Sequence, residues 1–197
     1  MLKNAVTGGI ICFVLMRIVG EEMQSEKWDI LDECGRPTGR TTLRGNNIFK
    51  KGEYHLVVHI WIVSPDGKVL IQRRAENKKL MPGEWAATGG AAIAGEDSFT
   101  AASRELYEEL GIKSDRQSLK LAKRIKRRNS FLDIWQIKTD IPTDKLKLQE
   151  SEVADAKWVS VDTLKKMIEQ NKYHNYGKEY FSTVFEIIQA TEVQKYE

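Results

Sequence analysis

The chain has 197 residues, 41% of them apolar and 30% charged, with a formal net charge of +3 and only two cysteines, Cys12 and Cys34. That length suits one domain able to bury a continuous core, and the net charge is too small to argue for nucleic acid or an anionic membrane as a partner, so neither is expected although the charge balance itself is uninformative. Two cysteines make neither a disulfide framework nor a zinc cluster and suit a reducing compartment, so a cytoplasmic location is expected.

Residues 1–22 read unlike the rest. Residues 5–16 (AVTGGIICFVLM) are apolar but too short to span a bilayer, and no A-x-A-like cleavage site follows them, although their length would suit a signal sequence. Gly20, Glu21 and Glu22 ahead of Met23 require a purine-rich coding stretch, as a bacterial ribosome-binding site does, which favours a start at Met23 over a working segment. The domain is expected over residues 23–197.

Residues 28–31 predict a short strand, 33–39 a turn and 41–44 a return strand, together a small edge hairpin. Residues 54–63 (YHLVVHIWIV) and 68–72 predict central strands joined by the turn Ser64-Pro65-Asp66-Gly67. Residues 73–85 read as basic and then turn-like, broken at Pro82-Gly83. A helix is predicted over 97–110, with Phe99, Ala102, Ser103, Leu106 and Leu110 on its apolar face and Gly111 as its stop. Strands follow at 119–125, 131–138 and 156–159. A helix at 161–171 turns Leu164, Met167 and Ile168 inward, and a last helix runs from about 181 to 191. This order predicts a mixed sheet with helices on both faces, without internal repeats.

The stretch from Gly90 to Ile112, GAAIAGEDSFTAASRELYEELGI, carries the chemistry. On a helix, Glu105, Glu108 and Glu109 cover an arc of about 100° beside the apolar face without overlapping it. Like charges at this spacing repel one another and lower helix stability, so they call for a compensating charge. A hard divalent cation such as Mg²⁺, which takes carboxylate and phosphate oxygens, supplies it. Arg104 is placed to orient the cluster or partly neutralise it. Gly89 and Gly90 let the backbone approach a ligand closely, and the helix N-terminus beyond them favours phosphate. A lone E-x-x-E-E is more often ordinary solvated surface.

Here the carboxylates are not alone. The segment matches G-x5-E-x7-R-E-U-x-E-E-x-G-U, with U aliphatic, at Gly90, Glu96, Arg104, Glu105, Leu106, Glu108, Glu109, Gly111 and Ile112. The chance of such a match is on the order of 10⁻⁶ over the chain. This pattern is the Nudix box, and from about Trp28 to the C-terminus the chain resembles the Nudix superfamily. The resemblance implies an α+β fold, an α/β/α sandwich around a mixed β-sheet. It implies a metal-dependent hydrolase that cleaves a phosphoanhydride bond in a nucleoside-diphosphate-linked or other diphosphate-containing small molecule. It also implies Glu105, Glu108 and Glu109 as ligands of Mg²⁺ or Mn²⁺, with a carbonyl of Gly89 or Gly90 completing the shell, Glu105 as a candidate base, and Arg104 and Glu96 as supports. Many members add an acidic residue from a later loop, for which Glu150 and Glu152 are the candidates. Members are often dimers, which leaves a homodimer open, and the leaving group is not legible because specificity lies outside the box.

A narrower resemblance is to isopentenyl-diphosphate isomerases, carried by Tyr54-His55-Leu56, Gln72-Arg73-Arg74-Ala75, Lys78-Lys79 and Pro82-Gly83-Glu84-Trp85. Those enzymes need a Cys shortly after the Trp and a His just beyond it, where this chain has Ala86-Ala87-Thr88-Gly89-Gly90-Ala91-Ala92. An isomerase-like branch of the hydrolases is therefore expected, with an isomerase as the alternative. A non-catalytic ligand-binding regulator is a third reading, against which the intact box argues.

Other features are weighed beside these. His55 and His59 share one face of their strand and could hold a second metal, although a hydrogen-bonded core or rim role is the commoner one. Arg73, Arg74, Lys78 and Lys79 read equally as a diphosphate clamp or as a solvated basic turn. The basic run 120–128 (KLAKRIKRR) lacks interleaved aromatics and reads as a solvated edge strand in preference to an RNA site. Tyr173, Tyr176 and Tyr180 either stack on a base or anchor the last helix.

Overall fold

The computed structural model describes residues 26–45 and 49–193; the expectations for residues 1–22 lie outside the described residues. Strand β3 (His55–Val63) is the centre of the molecule. It pairs in parallel with β8 (Ser130–Lys138) along its full length, antiparallel with β6 (Thr88–Ala91) near its start and antiparallel with β4 (Val69–Arg74) at its end. Outside these, β4 carries β5 (Trp85–Ala86) and β9 (Val153–Val159), and β8 carries β7 (Leu119–Lys126), completing a seven-stranded mixed sheet.

Both faces of this sheet are covered, which is why β3 reads as one apolar run. Its even-numbered residues Val58, Ile60 and Ile62 join Leu70 against Ala101, Ala102, Leu106 and Leu110 of helix α1 (Ser98–Leu110). Its odd-numbered residues Trp61 and Val63 join Val69, Ile71, Leu132 and Ile134 on the opposite face. There they pack on Leu164 of α2 (Val161–Glu169) and on Tyr180, Phe181, Val184 and Ile188 of α3 (Lys178–Val193). The architecture is the expected α/β/α sandwich. None of these helices is long and apolar enough to cross a membrane.

The elements depart from the expected boundaries where side chains intervene. Strands β1 (Lys27–Leu31) and β2 (Pro37–Leu43) form a separate two-stranded sheet whose turn is shorter than expected. The Asp32 carboxylate accepts from the N–H groups of Cys34 and Arg36 and closes the turn early, so the return strand already starts at Pro37. The basic pair Arg73-Arg74 belongs to β4 and not to a turn, because β5 and β9 pair with it from both sides. Gly89 and Gly90 also lie in a strand, opposite His59 and Val58 of β3. Strand β7 is the exposed edge strand that its basic run suggested.

The three tyrosines anchor α3. Tyr173 and Tyr180 are buried, and Tyr180 Oη accepts from Trp61 Nε1 at 3.0 Å and lies 2.8 Å from His59 Nδ1. Tyr176 packs edge-on against His59. His59 is thus a hydrogen-bonded core residue, whereas His55 is stacked between Trp28 and Phe49, with no hydrogen-bond partner for its Nδ1 among the described residues. Burial pushes the His59 imidazole down to about 3 and that of His55 down to about 4.

Tyr180→Phe strands the Trp61 N–H and a His59 nitrogen together, so a loss of about 1–3 kcal/mol is expected in urea denaturation. His59 predicts a second effect. Between about pH 3 and pH 6.5 the unfolded chain holds an imidazole proton that the folded chain rejects, so falling pH favours unfolding across that window. Stability followed against pH should show this slope in the wild type and a shallower one in His59→Gln.

Candidate active site

Helix α1 presents the carboxylates, and its ends are set by local chemistry. Asp97 caps it, its side chain accepting from the Thr100 N–H at 2.7 Å, and Gly111 closes it in the left-handed region at φ +72°. Arg104 is the hub. Its Nε and Nη2 grip both oxygens of Glu96 at 2.8 and 3.0 Å, and its Nη1 reaches Glu105 Oε1 at 2.9 Å and Glu108 Oε2 at 3.0 Å. Glu96 is in turn fixed by the Ile93 N–H, and Arg104 Nη2 also donates to the Ala91 carbonyl. One guanidinium therefore ties the loop before the helix to two of its carboxylates.

Glu109 departs from the expected pattern. It is only 3% exposed and shares the buried side of the helix with Leu106 and Leu110, so the carboxylate arc overlaps the apolar face. Its Oε2 accepts from Gln72 Nε2 at 2.9 Å and from the Gly89 N–H at 3.0 Å. Burial first, and then the charge of Glu105, pushes the Glu109 carboxyl up to about 8. Burial also raises Glu105 against the opposing pull of Arg104, while Arg104 is held firmly protonated by hydrogen bonding to Glu96. Glu108 is the exposed member, at 46%.

The two glycines serve the site through the sheet. Gly89 has φ +146°, and a Cβ there would lie 2.1 Å from the Val58 carbonyl oxygen. At Gly90 the space of a side chain is taken by the Glu105 carboxylate, whose Oε1 would lie 2.4 Å from a Cβ. Strand pairing and the seating of Glu105 thus account for glycine at both positions.

The remaining candidates are dispersed. Arg74 lies on the Gln72 side of β4 with its charge felt at Glu109, and its Nε donates to the Leu80 carbonyl. Arg73 pairs with Glu76, Lys78 with Glu152, and Lys79 is exposed. Glu150 is exposed on the turn before β9, and among the described residues no hydrogen bond or ion pair joins Glu150 or Glu152 to Glu105, Glu108 or Glu109. Nor, among the described residues, do three acidic, His or Cys side chains converge closely enough to enclose an ion, since Arg104 stands among Glu96, Glu105 and Glu108.

Gln72 and Thr88 are the site residues that the sequence reading did not single out for a role here. Gln72 is fully buried, and the Thr88 hydroxyl donates to its Oε1 at 3.1 Å, turning the amide N–H₂ toward Glu109. A signal was present: a polar residue at the inward parity of the strand VLIQRR.

The family model for the NUDIX domain matches residues 53–180. The chain is 35% identical over 169 residues to the uncharacterized Nudix hydrolase lmo0368 of Listeria monocytogenes, covering 85% of this chain and 98% of that protein. It is 27% identical over 139 residues to an isopentenyl-diphosphate Delta-isomerase of Pectobacterium atrosepticum, covering 68% of this chain and 76% of that one. In fold it is similar to the crystal structure of DR0079 from Deinococcus radiodurans, with a TM-score of 0.67 at 20% identity over 84% of this chain and 98% of that one.

The two glycines should respond differently to a methyl group. Gly89→Ala meets backbone and a disallowed φ, so a loss of roughly 3 kcal/mol or more is expected in denaturant titration. Gly90→Ala meets only the end of a flexible side chain and should fall within about 1 kcal/mol of the wild type while displacing Glu105.

Proposed function

The chain belongs to the Nudix family and is a Nudix hydrolase, and we propose that it uses Mg²⁺ or Mn²⁺ to cleave a phosphoanhydride bond in a nucleoside-diphosphate-linked or related diphosphate-containing small molecule. The observation that carries this reading is the charge imbalance around Arg104. Glu96, Glu105 and Glu108 share one guanidinium, and Glu109 is buried nearby with, among the described residues, only neutral donors on its Oε2. Hard oxygen donors with surplus negative charge suit a divalent cation, and the burial that raises Glu105 and Glu109 is a cost that such a cation offsets. The donor set therefore fits the metal that Nudix chemistry uses.

Glu105, Glu108 and Glu109 would hold the cation, with the Gly89 or Gly90 carbonyl as a further ligand. When bound, the cation supplies a Lewis acid that gathers phosphate charge. The chain's own residues provide the positioning. Gln72 and the Gly89 N–H orient Glu109, and Glu96 anchors Arg104, which holds Glu105 and Glu108 in register. Glu105, buried and raised in proton affinity, is suited to take the proton of an attacking water. Arg74 has the strongest claim to meet a substrate phosphate because its charge already reaches Glu109. Arg73 and Glu152 are engaged by Glu76 and Lys78, and Lys79 and Glu150 are exposed, which places these four behind Arg74 as residues that would meet substrate.

The test is phosphate release across nucleoside diphosphates, triphosphates and conjugates, with isopentenyl diphosphate included, in Mg²⁺ or Mn²⁺ and in chelator. Cleavage should require the metal and fall by about 10²-fold or more in Glu109→Gln. Turnover of isopentenyl diphosphate to its isomer, with no hydrolysis of any compound, would sink the hydrolytic reading.

A further inference from the structure

On the face of the sheet opposite α1, a cavity of about 590 Å³ opens between the end of β7 and the start of α3. Its wall includes Arg127, Tyr176, Gly177, Lys178, Glu179 and Tyr180. Arg127 is the telling residue. It is half-buried with its guanidinium 5.9 Å from the centre of the Tyr180 ring, and among the described residues no carboxylate pairs with it. The titratable groups whose charges it feels are tyrosines, and the neighbouring imidazole that feels its charge is His59. None of these is an anion near neutral pH: burial pushes Tyr176 up to about 12, burial likewise raises Tyr180 well above the ordinary phenol range, and His59 is neutral. Burying a cation without a partner is costly, and a guanidinium offers five donors and no acceptor.

The other donors around the cavity have the same sense. Lys178 opens α3, a helix of 16 residues whose first turn points N–H groups outward, and above Gly177 there is open space with nothing within 4 Å of where a Cβ would stand. Among the described residues Glu179 is the one acidic residue in the wall, and it is exposed. Lys126, also in the wall, directs its ammonium to the Glu33 carbonyl, which among the described residues leaves Arg127 and Lys178 as the cations facing the cavity without a carboxylate.

We infer that this cavity is an anion-binding site for a phosphate group, with Arg127 as its principal ligand and the Tyr176 ring as its floor. The site stands independently of the proposed hydrolysis. It is nevertheless linked to the carboxylates, because the Tyr176 hydroxyl accepts the N–H of Ala87, two residues before the Gly89 that holds Glu109. The phosphate could be a remote group of the enzyme's own substrate or free inorganic phosphate, and the experiment separates the two.

Inorganic phosphate is titrated into the full chain in chelator while the Arg127 side-chain N–H and the amide signals of residues 176–180 are followed by NMR. These signals are expected to shift together and saturably. Arg127→Gln should weaken the affinity by about 10- to 100-fold, the loss of charge-assisted hydrogen bonds, with Arg127→Lys in between. Lys120→Gln, which removes an exposed cation elsewhere on β7, should bind as the wild type does. In steady-state assays, a raised KM in Arg127→Gln for phosphate-bearing substrates assigns the site to substrate, and an unchanged KM assigns it to free phosphate. Shifts confined to Arg74 and Arg104, or equal affinity in Arg127→Gln, would overturn the inference. Should Arg127→Gln fail to fold, the wild-type shifts alone decide.

Discussion

A carboxylate buried between a helix and a sheet is the constraint around which this molecule is arranged. Glu109 can remain there only with hydrogen-bond donors waiting for it, and the sheet provides two, the Gln72 amide and the Gly89 N–H. Each donor imposes a further requirement. Gln72 needs Thr88 to fix which way its amide faces. Gly89 needs a backbone conformation closed to side chains and a close pairing with Val58, which draws β6 onto the central strand. With β6 in place, Gly90 leaves the space that the Glu105 carboxylate fills.

Much of this was legible beforehand, for reasons that differ by element. Strand β3 declared itself through a run of β-branched and aromatic residues, and α1 through its period and its terminal glycine. The box identified the carboxylates because seven single-type positions leave little room for chance. What stayed hidden was side-chain direction across elements. Glu109 lies beside the apolar face on a helical wheel, but the neighbouring strand supplied polar partners that allowed it inside. The basic stretch from Arg73 to Lys79 could not be resolved from one-dimensional proximity. Alternation on β4 separates Arg73 from Arg74, Glu76 engages Arg73, and Glu152 engages Lys78. Those ion pairs join residues up to 74 positions apart, beyond any local pattern.

The two faces of the sheet have opposite electrostatic character. On the α1 face three carboxylates share one guanidinium and a fourth, Glu109, is buried nearby, an arrangement deficient in positive charge. On the α3 face Arg127 stands among aromatic rings, deficient in negative charge. Neither deficit lowers the energy of the isolated chain, since buried charges without partners destabilise it. Structural strain of this kind is tolerated at sites that bind something, where the ligand completes the charge balance.

The choice of a neutral amide at position 72 follows from the same logic. A lysine or arginine there could also have satisfied a buried carboxylate, and more strongly than an amide does. It would also have placed a competing positive charge beside Glu109, against the cation proposed to bind there. A glutamine locked by Thr88 orients the carboxylate and favours its ionised form without adding a cation of its own beside it. Arg104 neutralises from the other side, but it is divided among three carboxylates and so cannot cancel them all. What remains is an oriented negative site, held open by hydrogen bonds that fix geometry without consuming charge.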